Sequence, residues 1–379
     1  METIATARRG WQLRRGFVRG RAVRHAVAVQ GGDRPSFLVS RNARHRQVDR
    51  AAVQCIDNAM QYTESEVDLA SRFTQATHEV LTGTFTMNAG KRLAPIAAPN
   101  RTSLTHALRA IAPDDGVDVP IHELETESGW ELPDPMLRAP LDTHAALIST
   151  TRSHTRTDGM QSAAATGTRA TTNVDLTEVQ RAKSLLADHD AIAARAAHDA
   201  KRIDAACEVR TTSEAGNDPT FSVAHPVRLN ETERYHAPGM VGNLPAGEAA
   251  CGIHDGTENG TRVVDGSRPG LGLITSPLTV RDEAGVSVAV EGERAGELEV
   301  IPGRHDPGAR HLAEHELEMN DTMTLQGNAR LDEKVTGTVH VAVGNDVSFG
   351  GSNDVDEHAD AVVRSPTLIL EGIRVALPQ

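Results

Sequence analysis

After about residue 226 the sequence changes texture: TRVVDGS, PLTVRDEAGVSVAV, GTVHVAV and TLILEGIRV are short, β-branched runs cut apart by glycine-containing turns. Such runs are strand signals, and the central Asp-Glu-Ala-Gly of PLTVRDEAGVSVAV reads as a hairpin connection. The second half is therefore expected to be sheet-rich. Aromatic residues make up only 3% of the chain, so the cores beneath those sheets must be built mainly from Val, Leu, Ile and Ala. With 379 residues the chain is long enough for two ordinary domains, each burying its own core.

Upstream, from about 51 to 225, short apolar runs alternate with helix-like segments, the pattern of an α/β layer. The clearest helix is expected to start at Asp175, an N-cap acid in D-L-T-E with a Glu three residues on. It continues through Val179, Ala182, Leu186 and Ala193 at helical spacing, with a break expected before Ile203. Gly216, Asn217, Asp218 and Pro219 supply a turn. The expected fold class is α/β in two domains. Residues 1–50 read as a basic, disordered extension, 51–225 as an N-terminal α/β domain, and 226–379 as a C-terminal sheet-rich (α+β) domain that holds every metal-ligand candidate named below.

Charge excludes some functions. The formal net charge is −13, yet residues 1–50 carry twelve Arg and three acids, a net +9, so the remaining body is strongly acidic. Phosphate binding needs clustered Lys and Arg, so nucleic acid is not an expected partner. Only four residues are Lys: Lys91, Lys183, Lys201 and Lys334. Few Lys and many acids suit a high-salt (halophilic) cytoplasm, where carboxylates keep the surface hydrated, and equally suit a GC-rich genome. Cys55, Cys207 and Cys251 are sparse and form no C-x-x-C, which fits a reducing cytoplasm and argues against a thiolate zinc site. No stretch approaches ~18 consecutive apolar residues, so no membrane span is expected.

Four segments of the second half place metal-ligand residue types in unusual contexts. In GNLPAGEAACG, Pro245 and Gly247 constrain the backbone just before Glu248. GARHLAEHELE is a short acidic and histidine-bearing stretch containing Glu314, whose ordinary alternative reading is a solvated helix face. In GTVHVAVGN, strand alternation puts Thr338, His340 and Ala342 on one face, and Val339, Val341 and Val343 on the other. In DEHAD, His358 and Asp360 share a side if the segment is extended. Two His with three carboxylates suit one or two divalent ions, which polarise a carbonyl and acidify bound water.

GNLPAGE, LAE, DEKVTGTVHVAVG and H-x-D, in that order, resemble the signature of the aminopeptidase T (thermophilic metalloprotease) family. SFGGSNDV and PTLILEG resemble its archaeal leucyl-aminopeptidase-like branch. The match covers about residues 205–379; STTRSHTRTD (149–158) and GNDPTFSV (216–223) resemble the family's N-terminal domain less faithfully. The resemblance implies metal ligands at Glu248, Glu314, His340, His358 and Asp360, with Glu314 bridging two ions (Zn, Co or Mn) and serving as the catalytic general base. It also implies a homodimer that releases N-terminal residues from peptide substrates.

Departures from the family pattern leave two alternatives open. The family places a Tyr seven residues after the His of the third motif, where it stabilises an oxyanion; here that position is Val347, and the two tyrosines are Tyr62 and Tyr235. Losing one oxyanion donor typically costs ~10²–10³ in turnover. LAEHELEMND also replaces a glycine-containing segment expected after LAE, which can alter the backbone near Glu314. One alternative, implied by the resemblance because the aminopeptidase-like superfamily also includes ring-cleaving dioxygenases acting on hydroxypyridines, is a mononuclear Fe(II) ring-cleaving dioxygenase on the same scaffold; two His and one carboxylate with open positions suit Fe(II). The other is a non-catalytic relative. GLG at 270–272 lacks the third glycine of a dinucleotide fingerprint, and neither a G-x-S-x-G elbow nor a G-K-[ST] loop occurs.

Overall fold

The computed structural model describes residues 12–16, 26–31, 34–39, 66–99, 101–124, 144–150, 158–174, 176–223, 228–298 and 306–375. They fall into two compact units: Met1–Leu186 with Glu233–Pro245, and Ala187–Thr232 with Ala246–Gln379. The single break expected at 225/226 falls on residues outside the described set. The chain instead leaves the first unit after Leu186 and returns to it for one short segment, because Val241–Asn243 pairs with Arg169–Val174 there. Most of the extension expected to be disordered also lies outside the described residues; within it Gln12–Gly16, Ala26–Gly31 and Arg34–Val39 pair as an antiparallel meander.

The first unit is α/β. Its five parallel strands are ordered Val241–Asn243, Arg169–Val174, Ala145–Thr150, Leu93–Ala97 and His122–Glu123. Counted along the chain this is 2-1-3-4-5, a doubly wound order. Leu93–Ala97 and Ala145–Thr150 are buried at every position, as strands covered on both faces must be. The expected long helix is two helices, Glu178–Ser184 and His189–Asp204. Asp175 lies outside the described residues; the first helix is capped by Thr177, whose hydroxyl accepts from Gln180 N while the Gln180 side chain accepts from Thr177 N. The break falls between them rather than before Ile203, because the Asp188 side chain accepts from Ala191 N and caps a new helix, worth ~1 kcal/mol.

The second unit is sheet-rich, as its sequence texture implies. Its main sheet has five antiparallel strands in chain order: β1 Arg228–Glu231, β2 Glu248–Gly252, β3 Leu312–Glu318, β4 Thr338–Gly344 and β5 His358–Arg364. One face is apolar. Ala249, Cys251, Leu317, Val339, Val341, Val343 and Val363 pack there with Ile192, Ala196 and Ile203 of helix His189–Asp204 and with Val209 and Phe221. His315 also lies on this face, hydrogen-bonded to Thr211 Oγ1 at 3.0 Å and with its ring tilted against that of Phe221; burial pushes its pKa down to about 3, so it is a neutral core residue. A register shift between Leu312 and Glu314 lets both even-numbered residues satisfy opposite faces, Leu312 in the core and Glu314 away from it.

The hairpin in PLTVRDEAGVSVAV forms between Leu278–Glu283 and Val286–Glu291. Its connection is Ala284–Gly285 with φ of 48° and 76°, the left-handed pair that a tight antiparallel turn requires. This hairpin and Gly260–Val264 form a small sheet with a buried polar network. Arg262 Nε and Nη2 donate to Asp282 Oδ2 and Oδ1 at 3.0 and 3.1 Å, and Ser287 Oγ donates to Asp282 Oδ1 at 2.7 Å.

Glu258 is buried beside this network, and burial followed by the Asp282 charge raises its pKa to about 8. Between its unfolded value of 4.5 and about 8, the folded protein holds a proton that the unfolded chain has released. The Glu258 contribution is therefore fully present below pH 4.5 and lost as pH rises to about 8. Glu258→Gln removes that titration. Thermal melts of both proteins at about pH 6 and pH 9 are expected to show the variant gaining stability relative to wild type at the higher pH; a gap independent of pH contradicts the assignment.

Candidate metal centre

Period-two alternation decides which side chains meet on the other face of the main sheet. Glu248 of β2, Glu314, Glu316 and Glu318 of β3, His340 of β4, and His358 and Asp360 of β5 all project there. The register sets Glu248 opposite Glu318, Glu316 opposite His340, and Ala342 between Glu314 and Asp360, where its single methyl leaves room at the centre. Gly247, just before Glu248, has φ of 134°, and a Cβ on it would come within 3.0 Å of Asn320 Cβ. A side chain there would strain the backbone and crowd Asn320.

All five residues expected to ligate metal lie on this one face, and four of them converge. His358 Nε2 is 2.9 Å from Glu314 Oε1 and 3.5 Å from Asp360 Oδ1. His340 Nε2 is 3.5 Å from the same Glu314 oxygen and 3.7 Å from the same Asp360 oxygen. Ligands ~2.1 Å from one ion stand roughly 3–3.5 Å apart, so these four atoms are spaced for a single divalent ion. Glu248, the fifth, groups with Glu316, Glu318 and His340, one ligand atom of each lying within 4.8 Å of the others. His340 thus borders both groups.

Outer partners aim the imidazoles. His358 Nδ1 lies 2.9 Å from the carbonyl of Asn345, an atom that only accepts, so Nδ1 carries a hydrogen and Nε2 faces the centre. His340 Nδ1 sits 2.6 Å from Glu318 Oε1, a carboxylate–histidine pair of the kind that orients a metal ligand. Lys334 enters the same face from the turn after Ala329–Asp332, contacts Glu248 Oε2 through its ammonium, and lies 3.4 Å from Glu333 Oε1. His358 is 22% exposed while His340 and Asp360 are 2% and 5%, so solvent meets the centre at His358.

Burial pushes Glu248 and Glu316 well above the ordinary carboxylate range, each reinforced by a neighbouring carboxylate. Burial works against His358 as well, but Glu314 and Asp360 overcome it and raise its pKa to about 10. Asp360 moves the opposite way: burial raises it, but the hydrogen bond and charge of His358, together with the charges of His340 and Arg330, outweigh burial and hold it well below the usual range. Glu314 Oε2, Glu316 Oε2 and Glu318 Oε2 are buried and accept no hydrogen bond. Oxygens stripped of water without a donor, around imidazoles that retain protons, form a pocket short of positive charge. The residues present fit a divalent cation.

Glu316 and Glu318 were not among the residues singled out from the sequence, nor was Lys334. The i, i+2, i+4 spacing from Glu314 was the available signal, obscured because LAEHELE also reads as a solvated helix face; in the structure it is a strand buried at all seven positions. The altered segment after LAE therefore adds two carboxylates to the site. Val347 is 50% exposed in a short turn, and its side chain has no group to donate. Tyr235 belongs to the first unit, where its hydroxyl donates to the Asn243 carbonyl at 2.7 Å; Tyr62 lies outside the described residues.

A metal ion needs neutral imidazole nitrogen, whereas His358 keeps its proton up to about pH 10 in the metal-free protein. Proton and ion compete below that pH, so affinity for Zn²⁺ or Mn²⁺ is expected to rise roughly tenfold per pH unit for each proton displaced. Calorimetric titration in two buffers of different ionisation heat counts those protons. Affinity independent of pH from about 6 to 8 would contradict a metal ligand that is protonated in the free protein.

No family model matches the sequence, and no curated protein matches it either. Among solved structures, the chain is similar to a 2,5-dihydroxypyridine dioxygenase from Pseudomonas putida KT2440, with TM-score 0.70 and 18% identity over 81% of this chain and 96% of that one. It is also similar to wild-type AmpT, an aminopeptidase T, from Thermus thermophilus, with TM-score 0.55 and 16% identity over 80% of this chain and 97% of that one. At these identities the likeness speaks for the fold, and the protein has the mixed α/β fold that those two enzymes share.

Proposed function

We propose that the protein is a metal-dependent aminopeptidase-like hydrolase that releases N-terminal residues from peptides, with one divalent ion held by His340, His358, Asp360 and Glu314. The observation that carries this reading is the position of Glu314. Its Oε1 lies 2.9 and 3.5 Å from the two imidazole nitrogens, while its Oε2 is buried without a hydrogen bond. One carboxylate thereby completes the ligand set and keeps an oxygen ready to accept a proton. When bound, the ion supplies Lewis acidity that polarises a scissile carbonyl and acidifies water.

The residues divide the remaining work. Glu314 Oε2 takes the proton from attacking water and returns it to the leaving amine. Glu318 holds the His340 ring through Nδ1, and the Asn345 carbonyl holds that of His358, so neither ring must reorient during turnover. The carboxylates around the centre offer acceptors for a substrate ammonium, the group that distinguishes a peptide's N-terminus. Val347 supplies no hydroxyl to stabilise a developing oxyanion, and slow turnover is expected.

A second reading, a mononuclear Fe(II) dioxygenase, is favoured by the convergence of two His and one Asp on a single point and by the TM-score of 0.70. Against it stands Glu314, which fills a position that such oxygenases leave open for oxygen and substrate. The test is metal analysis of chelator-free protein followed by two assays. Zn, Co or Mn with amine release from aminoacyl reporters, reduced by about 10²-fold or more in Glu314→Gln, supports the hydrolase. Stoichiometric iron with oxygen consumption on a dihydroxylated ring supports the oxygenase. Turnover and metal content both unaffected by His358→Ala would falsify either.

A further inference from the structure

Lys334 is one of four lysines in the chain and is 3% exposed. Both of its peptide groups are fixed: its N–H donates to the Leu331 carbonyl at 3.0 Å, and its carbonyl accepts from Asn320 N at 2.9 Å. The side chain therefore enters the acidic face from a set position. There the ammonium contacts Glu248 Oε2 and approaches Glu333 Oε1 at 3.4 Å. Glu248 belongs to the second group of potential ligands, with Glu316, Glu318 and His340. Of these, Glu318 is engaged with His340 Nδ1, and His340 Nε2 is shared between the groups, 3.5 Å from Glu314 Oε1, 3.6 Å from Glu316 Oε2 and 3.7 Å from Asp360 Oδ1. What the second group still offers a cation is chiefly Glu248 and Glu316, and an ammonium already sits on the first.

We propose that Lys334 is the built-in cation of this second carboxylate group, so that the protein takes one divalent ion rather than two. The inference rests on the metal-site reading above and concerns the number of ions. A second ion ligated by Glu248 would stand close to a fixed ammonium that shares its carboxylate, in a buried setting where like charges repel strongly. To admit it, the Lys334 ammonium would have to leave Glu248 and Glu333 within a buried face. The ammonium gives the carboxylates one of the two positive charges that a second ion would bring, but no vacant coordination site.

The test is equilibrium dialysis of the whole chain against Mn²⁺ alone and Zn²⁺ alone, with bound metal counted by elemental analysis. Wild type is expected to bind one equivalent, and Lys334→Gln and Lys334→Met to bind two. His358→Ala, added to either variant, should remove the first equivalent and spare the second. Two equivalents in wild type overturn the proposal without any variant. A count of one in a Lys334 variant whose circular dichroism and melting remain those of a folded protein overturns it as well. No bound metal in wild type overturns the metal-site reading itself, and the inference with it.

Discussion

The second unit is organised around an electrostatic problem: seven ionisable side chains, five of them carboxylates, share one buried face of a five-stranded sheet. Carboxylates removed from water and crowded together repel, and the group must neutralise, pair or bind a cation. The first two responses are present, and the group keeps the capacity for the third. Glu248 and Glu316 shift toward their neutral forms, Lys334 and the imidazoles provide countercharge, and several oxygens remain without a donor. Well-packed hydrophobic residues in place of the whole group would relieve the strain, so the arrangement marks a site rather than a means of stability.

The same strands solve the opposite problem on their other face. Val339, Val341 and Val343 alternate with Thr338, His340 and Ala342, so each residue added to the core adds its neighbour to the site. Each valine buried is worth roughly 1.5–3 kcal/mol, and the apolar face is the side that can meet the cost of the acidic one. A single register shift at Leu312–Glu314 keeps that division clean where the alternation would break it.

Much of this was legible along the chain. The H-x-D pair, the valine alternation around His340 and the hairpin around Ala284–Gly285 are local, period-two features, and a strand reproduces them wherever it is placed. The long helix was less legible, because the first helix stops at Ser184 and a cap at Asp188 begins a second, and cap geometry overrides periodicity. Glu316 and Glu318 were obscured because an acidic run reads equally as a solvated helix, and only burial against neighbouring strands separates the two. Lys334 carried no local signal at all, since its partner Glu248 is 86 residues away.

The sequence by itself determined the kind of elements and the inventory of ligand-type residues, because alternation, turn chemistry and residue identity are properties of neighbours in the chain. Tertiary structure alone decided which of those residues share a centre, how the carboxylates divide into two groups, and that an ammonium occupies one of them. Register and chain crossing bring together side chains dozens of residues apart, and the energy of a buried charge depends on what surrounds it in space. For the same reason the return of Val241–Asn243 to the first unit's sheet could not be read from composition. A three-residue strand is placed by its partner, not by its own sequence.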